Sequence, residues 1–265
     1  LTRWQPDGVL DPLGTWIYLQ ELDEQGASQR LWSICKQPMP AAGEELSVIY
    51  HAHMAVYRRD IHGITATMEV TVPPEDTVEI RRVHLHNPGD HPRRLRLSSY
   101  GEVILTSQAA DARHPAFNKL FIQSEFVEAM NLLVFRRRPR SNQETPPYLG
   151  HMLVTEDGQP LTGGFETDRM RFLGRGGDIH RPYSLLAERR PAGTVGSTLD
   201  PVFSLGQEIE IGAHSNFVLT WVTFAAGSRE ELQALAARYH DWKQVERSLQ
   251  QAHTAAENRL RRAEL

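Results

Sequence analysis

Apolar and polar residues alternate with a period of two along most of residues 1–227, and recur every three to four positions from 228 onward. The first pattern predicts half-buried strands, the second an amphipathic helix. Alternation is clearest from Thr65 to Val72, where Ala66, Met68, Val70 and Val72 interleave with Thr65, Thr67, Glu69 and Thr71. Pro73-Pro74 ends that strand, because proline cannot donate to a ladder. From Val78 to His86 the parity changes: Val78 and Ile80 share one face, Val83 and Leu85 the other. One extra residue near Arg81-Arg82 would restore the alternation, so a β-bulge is expected there. Asn87-Pro88-Gly89-Asp90 is strong turn chemistry. A strand follows with Leu95, Leu97, Val103 and Leu105 on one face and Arg94, Arg96, Ser98, Tyr100 and Glu102 on the other. The two strands around the turn are expected to pair as a hairpin.

Further strands are expected at 15–22, 29–34, 46–50, 53–57, 119–126, 131–137, 151–154, 202–205, 207–211 and 216–224. More than ten strands with almost no helix between them imply antiparallel sheets, and at this size a two-sheet sandwich. After Gly227, Ser228-x-x-Glu231 is a capping box. Leu232, Leu235, Tyr239, Trp242, Val245, Leu249, Ala252, Ala256 and Leu260 then form one apolar stripe on a long helix or a helix pair. A sandwich has little need of ~50 Å of helix at its end. The stripe is therefore expected to lie against a neighbour, or to lead into one.

The 265 residues are 40% apolar and 23% charged, which excludes disorder and a disulfide miniprotein. With 33 acidic and 29 basic residues the net charge is −4, and nothing in that balance suggests a nucleic-acid or membrane-surface binder. Cys35 is the single cysteine, so no internal disulfide or thiolate cluster can form. No apolar run approaches the ~18–20 residues of a membrane helix. The chain opens on Leu1 with no leader after it, and reads as a piece of a longer polypeptide.

Candidate chemistry is sparse. His51-Ala52-His53 and His84-Leu85-His86 each place two imidazoles on one strand face, enough for half a zinc site or for plain solvent-facing positions. Arg136-Arg137-Arg138-Pro139-Arg140 is an anion-binding candidate or a solvated turn. Gly174-Arg175-Gly176-Gly177 lacks phosphate-loop spacing and reads as a loop with a close backbone approach. No Ser-His-Asp or Cys-His arrangement has a recognisable nucleophile context. Glu102 with Tyr100 and Arg96 is the best local constellation, either a sugar-contacting face or an ordinary polar one.

Four segments carry a resemblance. The first runs from Leu1-Thr2-Arg3-Trp4 through Gly14-Thr15-Trp16-Ile17-Tyr18-Leu19 and Leu31-Trp32-Ser33 to Gln37-Pro38. The second spans Ala109-Ala110-Asp111-Ala112-Arg113-His114-Pro115-Ala116-Phe117-Asn118-Lys119-Leu120-Phe121. The third is Glu166-Thr167-Asp168-Arg169-Met170-Arg171-Phe172-Leu173-Gly174-Arg175-Gly176, and the fourth Gly196-Ser197-Thr198-Leu199-Asp200-Pro201-Val202-Phe203-Ser204-Leu205. In this order they resemble the phosphorylase-like region of cyclic β-1,2-glucan synthases. That region belongs to the cellobiose/chitobiose phosphorylase family, formerly a glycosyltransferase family.

The resemblance implies a galactose-mutarotase-like β-supersandwich over 1–227, a helical linker over 228–265, and an (α/α)₆ barrel that this chain does not contain. In such a parent the barrel carries the catalytic aspartate, and inorganic phosphate is the co-substrate of an inverting phosphorolysis that releases glucose 1-phosphate. No catalytic aspartate carries over to this chain, and no cofactor is implied. The implied partners are the barrel itself, a β-glucan or glucose oligosaccharide, and a second copy in a homodimer. The implied location is the cytoplasmic face, with an inner-membrane-bound parent. Asp7 to Pro12 departs from the acidic, tryptophan-containing stretch of the family. Gln25-Gly26-Ala27-Ser28 stands where a threonine-glycine turn is usual.

Glucans are neutral, so stacking and hydrogen bonds must supply affinity. The residues expected to contact sugar are Trp16, Tyr18, Trp32, Arg96, Tyr100, Glu102, His114, Phe117, Arg169 and Arg171. Trp16 and Tyr18 share one face of their strand, and Trp32 lies on the next strand, expected as its hairpin partner. His114 and Phe117 lie on a loop that reaches past the sandwich. Arg169 and Arg171 share one strand face, where they can pair with Glu166 or Asp168. Core packing is the competing reading for the three strand aromatics. Three functions remain open: a non-catalytic carbohydrate-associated module, a free-standing mutarotase-like epimerase, and a purely structural dimerisation domain.

Overall fold

Thirteen strands build two antiparallel sheets, in a computed structural model that describes residues 1–3, 13–41, 44–139, 141, 143–186 and 190–263. Trp4, the Asp7–Pro12 segment, Arg140 and Asn142 lie outside the described residues. The strands are β1 (Trp16–Leu22), β2 (Ser28–Ser33), β3 (Glu45–Tyr50), β4 (Met54–Ile61), β5 (Ile64–Thr71), β6 (Val78–Asn87) and β7 (Arg93–Glu102). They continue with β8 (Ile122–Val127), β9 (Leu132–Arg137), β10 (Tyr148–Thr155), β11 (Phe165–Asp168), β12 (Pro201–Ile211) and β13 (Ser215–Ala226). Short helices α1 (Gln108–Arg113), α2 (Pro115–Lys119), α3 (Arg169–Leu173) and α4 (Tyr183–Leu186) interrupt them, and α5 (Arg229–Tyr239) and α6 (Trp242–Arg262) follow. One sheet has the order β11-β12-β7-β1-β2, the other β3-β4-β5-β6-β13-β10-β9-β8. This is the two-sheet sandwich expected from the pattern, and the supersandwich that the resemblance implies.

The central strands of the larger sheet are apolar on both faces. Val83, Leu85, Leu133, Phe135, Leu153, Leu219 and Trp221 point between the sheets. Val78, Ile80, Leu132, Val134, Met152, Val222 and Phe224 point the other way, onto the helices. Leu232, Leu235, Tyr239, Val245 and Leu249 of α5 and α6 complete that second core. The tail is thus a helix pair, and its stripe packs back on its own sheet rather than against a neighbour. Its capping box forms as expected, with Ser228 Oγ accepting from the Glu231 N–H at 3.1 Å.

This second core also corrects the expected bulge. β6 pairs with β5 and β13 in unbroken register from end to end. The parity change at Arg81-Arg82 arises because the first half of β6 buries its apolar side under the helices and the second half buries it between the sheets. Arg82 lies on the helix side and holds Glu246 of α6 at 2.7 Å and Glu69 of β5 at 2.6 Å.

The expected hairpin does not form either. β6 belongs to the larger sheet and β7 to the smaller, so Asn87-Pro88-Gly89-Asp90 arches between sheets. Gly212-Ala213-His214-Ser215 does the same between β12 and β13, and the two arches stack: β6 pairs β13 and β7 pairs β12. Asn87, fully buried, clamps them by donating from Nδ2 to the Gly212 carbonyl at 2.9 Å and the His91 carbonyl at 2.8 Å. Smaller differences are local. Lys119 ends helix α2 rather than starting a strand, and the segments at 202–205 and 207–211 form one strand.

His151 of β10 is fully enclosed between the sheets, with Ser99 Oγ 2.8 Å from Nε2, Thr223 Oγ1 2.8 Å from Nδ1, and Phe203 stacked on the ring. Both nitrogens are engaged and both residues are fully buried, so this serine–histidine contact is packing rather than a nucleophile pair. Burial pushes the imidazole down to about 3.

Two outcomes follow from this architecture. Asn87→Ala strands carbonyls in both arches and should lower unfolding stability by about 2 kcal/mol, read from urea midpoints. The folded-state pKa of His151 lies below its unfolded value, so the unfolded chain alone takes up a proton between pH 6.5 and about 3. Stability should therefore fall as pH drops through that window, by up to about 1.4 kcal/mol per pH unit from this group. His151→Gln should flatten the urea-midpoint slope between pH 7 and 5; an unchanged slope would refute the assignment.

Candidate functional site

The outward face of the five-stranded sheet is covered by the 169–186 segment rather than by solvent. Asp168 ends β11 and caps α3, its Oδ1 accepting from the Met170 N–H at 2.9 Å. Arg169 and Arg171 therefore sit on a helix, not on one strand face. Phe172, Leu173, Ile179 and Leu185 of the cover pack on Tyr18, Tyr100 and Val202. Two strand side chains pin it: Tyr18 donates to the Ile179 carbonyl at 2.7 Å and Gln20 to the Leu185 carbonyl at 2.5 Å. Gly177 permits the turn within it, since a Cβ there would meet the Leu173 carbonyl oxygen at 1.9 Å.

At the end of β7 the cover meets a charge cluster centred on Glu102, which is 7% exposed. Arg3 Nη1 donates to Oε2 at 2.7 Å, and Arg169 Nε to Oε1 at 2.9 Å. The Tyr100 hydroxyl reaches Oε1 at 3.3 Å. Arg3 also holds Asp111 of α1 at 3.2 Å, and Arg169 lies 3.8 Å from Asp200. Lys119 of α2, buried at 4% exposure, closes the ring on Asp200. Burial, followed by the charge of Glu102, pushes the Tyr100 phenol well above its ordinary range. Arg3, Asp111, Lys119 and Asp200 escaped the sequence reading. Each is an ordinary surface type within a resemblance segment, and only the tertiary fold brings them together.

Of the residues expected to contact sugar, Tyr100, Glu102 and Arg169 meet in this cluster. Arg169 pairs with Glu102 and Asp200 instead of Glu166 or Asp168. Trp16 packs half-buried beside Tyr18, which is fully buried under the cover. Trp32 is opposite Leu19 in the β1–β2 ladder and points into the inter-sheet core, away from Trp16 and Tyr18. Arg96 shares the Tyr100 face but holds Glu208 at 2.5 Å. His114 is exposed at the junction of α1 and α2, which replace the expected loop. Phe117 is 50% exposed, and Leu120, Met170 and Leu199, each beside a cluster residue, are exposed too. Arg171 lines a separate cleft together with Glu166, Arg175, Arg181 and Arg190.

The other motifs are quieter. His84 lies 3.3 Å from Glu69, the arrangement closest to a glutamate–histidine acid–base pair. Burial resists ionisation of Glu69, but hydrogen bonds from His84 and Arg82 outweigh it and bring the carboxyl to about 2, too low for a base. His51 and His53 lie in the turn between β3 and β4 rather than on one strand face, their rings 5.9 Å apart, and the His53 ring lies 4.7 Å from that of His253 of α6. Among the described residues no group of three or more His, Cys, Asp or Glu is placed to hold a metal ion. Arg137 is buried against Glu144, and Arg138 lies over Phe121. No helix among the described residues is long and apolar enough to cross a membrane.

Comparison with known proteins agrees with this architecture. The family described as glycosyl hydrolase 94, supersandwich domain, matches residues 1–242, and the chain belongs to that family. It is 30% identical over 261 residues to cyclic β-(1,2)-glucan synthase NdvB of Rhizobium meliloti (strain 1021), covering 98% of this chain and 9% of that protein. It is 28% identical over 113 residues to N,N'-diacetylchitobiose phosphorylase of Vibrio furnissii, covering 42% of this chain and 14% of that one. The chain thus spans a small part of each relative. Among solved structures, a bacterial glucoamylase complexed with acarbose shares the fold, with a TM-score of 0.52 at 9% identity over 91% of this chain and 31% of that one.

The Glu102 cluster predicts an asymmetry between two substitutions. Glu102→Ala leaves Arg3 and Arg169 without their shared carboxylate and should cost about 2 kcal/mol, less than a fully buried pair because both arginines are partly solvated. Glu102→Gln keeps the acceptor and should cost about half as much. Thermal unfolding of the two variants checks the order.

Proposed function

We propose that this chain is the non-catalytic N-terminal module of a glycoside phosphorylase or glucan synthase acting on β-1,2-glucan. Residues 1–227 form the carbohydrate-associated sandwich and 228–265 the helical linker to an (α/α)₆ barrel, which supplies the catalytic aspartate. The observation that carries the reading is the saturation of Glu102. A general acid or base needs a free edge towards substrate, and Glu102 is held by Arg3, Arg169 and Tyr100. Asp200 is likewise engaged by Lys119 and Arg169. The charge cluster acts as a rigid mount. Phe117, Leu120, Met170 and Leu199 around it give an apolar face for the barrel, with His114 at its rim to meet a sugar hydroxyl. Similarity to NdvB across nearly the whole chain supports β-1,2-glucan as the polymer. Inorganic phosphate is then the co-substrate of the parent, which sits at the cytoplasmic side of a membrane, and the module needs no cofactor.

The reading is tested by turnover. With inorganic phosphate and linear β-1,2-glucan, the 265-residue chain should release no glucose 1-phosphate, whereas the full-length parent should. Turnover by the chain alone would sink the proposal. In the parent, Phe117→Glu with Leu199→Glu should slow phosphorolysis roughly tenfold or more by misplacing the barrel, while leaving the melting temperature of the isolated chain unchanged.

A further inference from the structure

The cleft lined by Glu166, the 170–177 and 181–186 stretches and residues 190–192 has a volume of about 900 Å³. Glu166 lies in its wall with 1% exposure. Its Oε1 accepts from the backbone N–H groups of Thr167 and Asp168 at 2.9 and 3.0 Å. Its Oε2 is buried and meets no donor among the described residues. A buried carboxylate oxygen without a donor is costly, and it marks a place where a donor belongs. Around the same cleft stand Arg171, Arg175, Arg181 and Arg190, all exposed. The first three form no ion pair with a described residue. Arg190 only approaches Glu208 at 3.6 Å, and Arg96 already holds that carboxylate. Leu173, Leu186 and Pro191 supply apolar wall between floor and rim.

These features ask for one ligand with two kinds of group. The orphan oxygen needs a hydroxyl donor, and the unpaired guanidinium groups need an anion with several acceptor oxygens. A cation would satisfy Glu166 but be repelled by four arginines. Inorganic phosphate would satisfy the rim but has no neutral hydroxyl framework for the floor. A neutral sugar would leave the rim unused. We propose that this cleft binds a phosphorylated sugar, with a ring hydroxyl donating to Glu166 Oε2, the ring on the apolar wall, and the phosphoryl group on the arginines. The volume is at the upper end of small-molecule pockets and holds a hexose phosphate with room for a second ring. The site stands on the cleft alone, independently of the module reading above, and binding to the chain is read separately from turnover by the parent.

The test is titration calorimetry of the 265-residue chain with glucose 6-phosphate, glucose 1-phosphate, inorganic phosphate and glucose. At least one hexose phosphate should bind at least about tenfold more tightly than either inorganic phosphate or glucose, with affinity falling as salt rises. Combined Arg171→Ala, Arg175→Ala and Arg181→Ala should weaken it at least tenfold or so without moving the melting temperature, since all three are exposed. Glu166→Gln, which presents a donor where an acceptor stood, should remove the preference for the hexose phosphate over inorganic phosphate. The proposal is overturned if neither hexose phosphate binds saturably up to about 10 mM. Equal binding of inorganic phosphate, or an unaltered affinity in the triple arginine variant, would overturn it too.

Discussion

Two packed sheets have four faces, and this chain must keep water off nearly all of them. Packing one sheet on the other covers two. The central strands β6, β9, β10 and β13 are apolar on both sides, so the larger sheet needs a second cover, which α5 and α6 provide. The smaller sheet carries Tyr18, Tyr100 and Val202 outward and needs one too, which α3, α4 and the chain between them provide. Hydrophobic burial thus dictates a layered stack in which the helical tail is a structural layer and not an appendage.

That constraint also explains which parts of the fold were legible in the chain. Strand positions were readable because β5, β7, β12 and β13 alternate or end at strong turn residues. The sandwich class followed from their number. Pairing partners were harder to read. Asn87-Pro88-Gly89-Asp90 has the same local chemistry whether it closes a hairpin or arches between sheets. The choice is made by β13 and β12, more than a hundred residues away, which claim β6 and β7 as neighbours. The parity change in β6 was a true signal attached to the wrong cause: a strand buried on both faces can switch its apolar side without inserting a residue. The clamping roles of Asn87, Arg82 and His151 depend on partners brought close by the fold, so no spacing rule could disclose them.

The candidate site divides in the same way. Tyr100 and Glu102 were placed on one strand face from alternation alone, and they do touch. Their partners were not legible, because Arg3, Arg169 and Asp200 come from segments separated by most of the chain. The resemblance segments, read together, did point to the right neighbourhood. All four contribute, Arg3 from the first, Asp111 and Lys119 from the second, Arg169 from the third and Asp200 from the fourth, to one ring of charge. The Trp16, Tyr18 and Trp32 trio was separated by simple geometry. Trp32 is opposite Leu19, and directly opposed residues in a ladder share a face, so Trp32 must point to the interior while Tyr18 points to the cover.

Glu102 and Glu166 make the contrast between structure and site explicit. Both are buried carboxylates at the same cover, and both accept hydrogen bonds from fixed elements. Glu102 has each oxygen matched to a guanidinium, so its environment is complete and its removal is felt as lost stability. Glu166 has one oxygen matched to backbone N–H groups and the other to no donor among the described residues, while Arg171, Arg175 and Arg181, which form no ion pair with a described residue, stand around the same cleft. No described cation closes that gap onto Oε2, and the exposed guanidinium groups line the same cleft. A buried carboxylate oxygen without a described donor, in a cleft lined by such guanidinium groups, is complementary to a molecule that brings a donor to one side and a negative charge to the other.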